Sequence, residues 1–505
     1  MRKVKQVTAT LAGALAFATP ASAQKSADTL RVAWRDVIPN IDPYYNQLRA
    51  GIVVAHQAWD TLVYRDPETF QNKPLLAASY KWIDDTTLEF TLRQNVTWHN
   101  GDKFTADDVV YTINTVISDK HVAVPSNYAF YDRAEKIDDY HVRIKLKRIF
   151  PAALDYMAMT LWIWPKDYRE KMGTDEYARH PIGTGPYKIT RVDGSTQIDL
   201  ERYDGYYADS PKGKAAIAKL VIHGVPDSAA EMAELLNGRA DWIWKYNPDE
   251  YDNINRVAGL QAMRTESMRI GYINLDSAGR TGAGNPLTKE KVRQAIFHAI
   301  DRASMAKQLV QGGSRVLDAP CYPTQFGCDA GAAIPYSYDP AKAKQLLSEA
   351  GYPNGFDTEL VTRVLPSWAG AMQNYLKAVG INAKLSVVQA SAMIQRSRAG
   401  QTPMEASDWG SYAINDVSAI LPQYFGGGDN DYTRDPELQK LVEAGGVTTD
   451  PDQRRKAYSA AIRLITEKAY WLPMYTYTIT YGMSRQLSFR PYTDELPRFW
   501  MSSWK

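Results

Sequence analysis

Only a few residues in this chain of 505 are spaced for covalent chemistry. Ser304-Met-Ala-Lys307 has the S-x-x-K spacing, in which a lysine sits close to a serine nucleophile, but the S-D-N and K-T-G partners are missing. No G-x-S-x-G elbow and no phosphate loop occurs. Gly183-Thr-Gly185-Pro186 lacks the third glycine and the helix start of a dinucleotide loop, and reads instead as a rigid turn with positive φ. The seven histidines are scattered, with no H-E-x-x-H or other close ligand pair. Asp429, Asp431 and Asp435 approach the spacing of a calcium loop without its central glycine, and read as a solvated loop. The inventory excludes the common hydrolase and metalloenzyme patterns. It implies a binding module with no cofactor and no metal.

The start of the chain bears on where that module works. Arg2, Lys3 and Lys5 precede an apolar run from about Val7 to Ala18, and Pro20 leads into Ala21-Ser22-Ala23. This is the order of a secretory signal peptide over residues 1–23, with cleavage before Gln24. The run is shorter than the ~20 residues that span a bilayer. The formal charge is +2, and loss of the three basic residues brings it to −1, a balance that excludes nucleic acid and anionic membrane surfaces as partners. Cys321 and Cys328 are the only cysteines, and none lies near the cleavage site to take a lipid. In an oxidising compartment, so close a pair in a Pro/Gly-rich loop predicts a local disulfide.

A chain of this length exceeds what one core accommodates, so two large lobes are expected. Its 13 Trp and 32 Tyr exceed what packing alone asks for, and such side chains suit a ligand cleft. Leu88, Phe90 and Leu92 alternate with polar residues, as do Val142, Ile144 and Leu146, and Val96 and Trp98 lead into the turn Asn100-Gly101. Thr105 caps a helix whose first turn holds Asp107 and Asp108. Asp339-Pro340, Asp435-Pro436 and Asp450-Pro451 each place a capping carboxylate before a proline at the first helical position. Val292, Ala295, Ile296, Ala299 and Ile300 form a helical stripe. The fold class is therefore mixed α/β.

Four blocks carry a resemblance. They are Ala77-Ala-Ser-Tyr-Lys-Trp82 through Thr105-Ala-Asp-Asp-Val-Val-Tyr111; Pro181-Ile-Gly-Thr-Gly-Pro-Tyr187; Lys291-Val-Arg-Gln-Ala-Ile296 with Ala299-Ile-Asp-Arg302; and Tyr338-Asp-Pro through Gly351. Their order and spacing resemble the family 5 extracytoplasmic solute-binding proteins of ABC importers, the dipeptide, oligopeptide and nickel group. The resemblance implies a periplasmic binding fold of two lobes with mixed sheets, joined by two chain crossings at a hinge, the ligand closing between them. The crossings fall near Met268-Arg-Ile-Gly-Tyr272 and Leu472-Pro-Met-Tyr475, which gives lobe I as 24–267, lobe II as 268–474 and a segment 475–505 returning to lobe I. The implied partners are inner-membrane permease subunits with cytoplasmic ATPases, and the implied state is a monomer.

The family also supplies site expectations. In the peptide binders, an Asp shortly after a second-lobe Trp pairs with the ligand's amino group. Here Trp409 fits as a stacking wall, Tyr412 stands at the position of that Asp, and Asp408 or Asp416 would substitute for it. Dipeptide-selective relatives use an Arg at a strand end for the ligand carboxylate, which falls on Arg363, whose fork suits a carboxylate. Tyr44 and Tyr45, after Asp42-Pro43, are candidates for the cleft edge. The cargo implied is a short peptide. The alternatives are an oligosaccharide or opine-like solute in the same fold and, from another class, a secreted hydrolase using Ser304.

Overall fold

The structure is a computed structural model that describes residues 28–46, 48–194, 196–364 and 366–505; the leader expected at 1–23 lies outside the described residues. Two long strands organise it. Leu260–Leu275 and Trp471–Ser484 pair antiparallel along their length, from Leu260↔Ser484 to Asn274↔Trp471. Their ladder shifts register between Glu266 and Ile270. On one side of that shift the sheet continues through Trp242–Trp244, Thr29–Trp34, Lys219–Gly224, Gln197–Arg202 and Tyr187–Asp193. On the other it continues through Met404–Trp409, Phe356–Thr362 and Ile381–Val387. The ten strands form one mixed sheet, and the α/β class is the one expected.

The predicted alternating strands form a separate four-stranded antiparallel sheet. Ala77–Asp84, Thr87–Leu92, His141–Leu146 and Tyr131–Asp138 lie in that order, and Leu88, Phe90, Val142 and Ile144 bury their side chains. The capping signals also operate as read. Asp339, Asp435 and Asp450 each accept backbone N–H groups at the starts of Pro340–Glu349, Pro436–Gly446 and Pro451–Glu467. Val292, Ala295, Ile296 and Ala299 are buried in one apolar cluster with Leu360, Leu376 and Met404. A second cluster, around Leu30, Trp59, Trp164 and Trp242, fills the other half of the molecule.

The Gly183-Thr-Gly185 turn departs from expectation in its reason. Neither glycine has positive φ. What each needs is close approach: a Cβ on Gly183 would lie 2.0 Å from the Ala58 carbonyl oxygen, and one on Gly185 would lie 2.6 Å from the Ala58 carbonyl carbon. His99 fastens the turn from outside. Its Nδ1 accepts the Gly183 N–H at 3.0 Å, so its other nitrogen carries the proton donated to the Gly185 carbonyl at 3.0 Å. Burial pushes the His99 pKa down to about 4, against the Gly185 hydrogen bond, with Lys188 adding repulsion.

Two outcomes follow from this turn. Gly185→Ala overpacks backbone against backbone and should lower the unfolding free energy by about 1–3 kcal/mol, read by denaturant titration. The depressed His99 pKa means that the folded state binds fewer protons than the unfolded chain, whose histidine titrates near 6.5. Its stabilisation is complete above that pH and is lost as pH falls toward 4. His99→Ala should therefore be less stable than wild type at pH 7.5, with the gap narrowing as pH falls to 5.

Candidate functional site

The parallel strands Phe356–Thr362 and Met404–Trp409 run side by side, with Thr362 opposite Ala406. Residues leaving the carboxyl ends of adjacent parallel strands converge on the crevice outside the sheet. Arg363 follows the first strand, Asp408 and Trp409 end the second, and all three line a cavity of about 580 Å³. Arg363 is oriented by its neighbours: Nε donates to Ser407 Oγ at 3.2 Å, and Nη2 meets the Asp408 carboxylate at 2.9 Å. Trp409 is half-buried, packs edge-on against Tyr412 at 4.9 Å and Tyr424 at 5.9 Å, and donates its indole N–H to the Ala419 carbonyl at 3.3 Å. The expected Trp409, Arg363, Asp408 and Tyr412 thus share one cavity.

The opposite wall comes from residues that the sequence reading did not select: Asp36, Arg49, Lys245 and Arg269. Arg269 is central among them. It forms an ion pair with Asp408, and its Nη2 is 3.0 Å from the Glu495 carboxylate. Arg49 approaches Glu495 at 3.9 Å, and its buried Nη1 has no hydrogen-bond partner among the described residues. Gly410 makes room for both guanidiniums; a Cβ there would lie 3.0 Å from Arg269 Nη2 and 3.3 Å from Arg49 Nη2. Lys245 holds a left-handed conformation, φ 56°, fixed by its N–H on the Thr480 carbonyl and by Arg35 donating to its own carbonyl. That places its ammonium over the Trp244 ring at 4.0 Å.

The loop after Trp409 is unusual. Ser411, Tyr412 and Ala413 all have φ between 49° and 63°. Three successive non-glycine residues there cost roughly 1–2 kcal/mol each. Bonds from distant segments hold them: Arg65 donates to the Ala413 carbonyl, Gln325 to the Ile414 carbonyl at 2.9 Å, and the Phe326 N–H to the Asn415 carbonyl at 3.0 Å. Cys321 and Cys328, joined in a disulfide as expected from their spacing, close the loop that carries Gln325 and Phe326.

Several expected roles need correction. Asp416 does not reach the cavity: it is buried, pairs with Arg454 through both oxygens at 3.0 and 2.8 Å, and lines a separate crevice with Phe70 and Asn72. Asp408 lines the cavity but is already neutralised. Burial works to raise its pKa, yet Arg363 and Arg269 together hold it below the usual carboxylate range. It is not a free partner for an ammonium group. Tyr44 sits in the aromatic core, its ring 4.7 Å from Trp164 and its hydroxyl donating to the Trp162 carbonyl at 2.5 Å. Tyr45 donates to Asp119 at 2.7 Å. Ser304 spends its hydroxyl on the helix-capping Asp301 at 2.6 Å, and Lys307 is exposed. Asp431 is buried within its own turn, accepting from Thr433, Arg434 and Gly427, and Asp435 caps a helix.

A ten-stranded sheet with a cavity at its crossing strands invites comparison with known binding proteins. Residues 71–432 match the family model described as bacterial extracellular solute-binding proteins, family 5. The chain belongs to this family. Glutathione-binding protein GsiB of Shigella flexneri is 26% identical over 496 residues, covering 94% of both chains. Heme-binding protein A of Haemophilus influenzae is 26% identical over 456 residues, covering 83% of this chain and 82% of the relative. Among solved structures, the dipeptide-binding protein of Pseudoalteromonas sp. SM9913 with Met-Leu superposes with a TM-score of 0.82 at 21% identity, over 94% of this chain and all of that one. At that identity the likeness speaks to the fold, which is two-lobed. This solute-binding protein is the substrate-capturing component of an ABC import system, and the relatives named here are binding proteins.

Arg269 gives the site a ligand-independent test. Arg269→Met leaves Asp408 with Arg363 alone and Glu495 with the more distant Arg49, and should cost about 3 kcal/mol at pH 7. In the wild type, Asp408 and Glu495 are held below their ordinary range, so the stability they contribute is present above about pH 4 and is lost as pH falls. In the variant, protonation relieves the under-compensated charges. The deficit measured by denaturant titration should therefore shrink between pH 7 and pH 4.5.

Proposed function

We propose that this solute-binding protein captures a short peptide in the periplasm and, as a monomer, presents it to a permease driven by cytoplasmic ATPases. Arg363 carries the reading. Its guanidinium stands at the cavity wall, braced by Ser407 and Asp408, and its Nη1 makes no hydrogen bond among the described residues. A braced guanidinium with one nitrogen unengaged suits a ligand carboxylate, to which Nη1 donates a charge-assisted bond. Trp409 beside it offers an apolar face for a peptide plane.

The names of the relatives support the same class. Glutathione is a tripeptide and Met-Leu a dipeptide, and a cavity of about 580 Å³ suits a ligand of that size. The leader-like residues 1–23 support export. The hinge belongs at the register shift between Glu266 and Ile270, with lobe I as 24–267, lobe II as 268–474 and the last segment, 475–505, returning to lobe I. Closure there brings Arg49, Lys245 and Arg269 to the cargo.

Titration calorimetry with Ala-Ala-Ala tests the assignment. Arg363→Ala should weaken binding at least tenfold, about 1.4 kcal/mol. Replacing the peptide carboxylate with an amide should cost a similar factor in wild type and little more in the variant. Unchanged affinity in Arg363→Ala would remove Arg363 from the site.

A further inference from the structure

The charges across the cavity are unequal in a way that a zwitterionic peptide does not use. Arg363, on the second-lobe wall, accounts for one carboxylate. On the facing wall stand Arg49 and Lys245. Arg49 is buried with Nη1 unpartnered, and its pKa is lowered because burial outweighs its attraction to Glu495, with Arg269 and Arg65 adding repulsion. Lys245 makes no ion pair among the described residues; burial lowers its pKa although Asp36 and Glu495 attract it. The carboxylates that would balance them are committed elsewhere: Asp408 to Arg363 and Arg269, and Glu495 chiefly to Arg269. Asp36, the carboxylate lining this wall, attracts Lys245 without pairing with it.

We infer that the cargo carries two anionic groups, one for Arg363 and a second for Arg49 and Lys245, so that the end of the peptide away from its α-carboxylate is itself acidic. The inference rests on the peptide reading above and narrows it. A second carboxylate would supply the acceptor that Arg49 Nη1 lacks and the counter-charge that Lys245 lacks, and charge-assisted bonds of this kind are the stronger class. A free α-ammonium at the same wall would meet Arg49 and Lys245 with only Asp36 and a Glu495 already paired to Arg269 to offset them, and like charges in a partly desolvated cleft repel strongly. Arg398, also in the cavity lining, adds a further positive charge near Tyr412.

Matched ligands separate these cases by calorimetry: Ala-Ala-Ala, N-acetyl-Ala-Ala-Ala, N-succinyl-Ala-Ala-Ala, and pimelate as a dianion without peptide bonds. The succinyl peptide should bind at least tenfold tighter than the acetyl peptide, and Lys245→Met should cut that preference to threefold or less. Arg49→Gln should do the same, with its melting curve showing that it folds; Lys245→Met keeps the test decisive if it does not. Should Ala-Ala-Ala bind tighter than the succinyl peptide and lose affinity in Asp36→Asn, the peptide reading stands and the two-anion site falls. Pimelate binding that depends on Lys245, with no peptide bound, would keep the two-anion site and overturn the peptide reading. If none of the four binds, both readings fail.

Discussion

One guanidinium ties the cavity together. Arg269 lies on the long strand Leu260–Leu275, beside the register shift, and reaches Asp408 at the end of one strand and Glu495 in the C-terminal segment. Those partners are separated by most of a hundred residues in sequence, and nothing local would bring them together. Two buried carboxylates near one another are tolerable only with cations between them. The placement of Arg49, Arg363 and Gly410 follows from that requirement: two further guanidiniums brace the carboxylates, and one residue without a side chain lets them approach. The cavity's charge pattern is therefore a by-product of how its walls are joined as well as a means of binding.

Much of the fold was legible in the sequence because it rests on local rules. Capping aspartates before prolines, the stripe from Val292 and the alternation at Leu88, Phe90 and Leu92 each depend on a few neighbouring residues, and each forms as read. Arg363 was legible as a strand-end residue, and Trp409 through the motif of the family it resembles. Arg49 and Lys245 were not. Arg49 opens an apolar helix, Arg49–Ala58, and Lys245 follows a Trp-Ile-Trp strand, so neither carries a local signal for a cleft. Their role emerges only when the sheet order sets the Trp242–Trp244 strand beside Trp471–Ser484. Arg269 did leave a trace: a charged residue inside the otherwise apolar stretch 268–272 needs a partner.

The expectations that failed share a cause. Tyr44, Asp416 and the Gly183–Gly185 turn were each assigned a role from residue type, and each is explained by contacts from far along the chain: Trp162, Arg454 and Ala58. A glycine needed for close approach and one needed for positive φ look alike in sequence. Likewise, an aspartate that solvates an arginine in the core looks like one that meets a ligand.

The loop closed by Cys321 and Cys328 lies behind this cavity rather than in it, yet it holds the backbone that presents Tyr412. A cross-link over so short a loop removes about 2–3 kcal/mol of chain entropy from the unfolded state. The three left-handed residues that this loop holds, Ser411 to Ala413, store strain of about 3–6 kcal/mol. Before the bond forms, the segment has every reason to relax to ordinary geometry. The shape of the wall beside Trp409 is thus set in part by oxidation, so that maturation of the binding surface is tied to the redox state of the compartment in which the chain finishes folding.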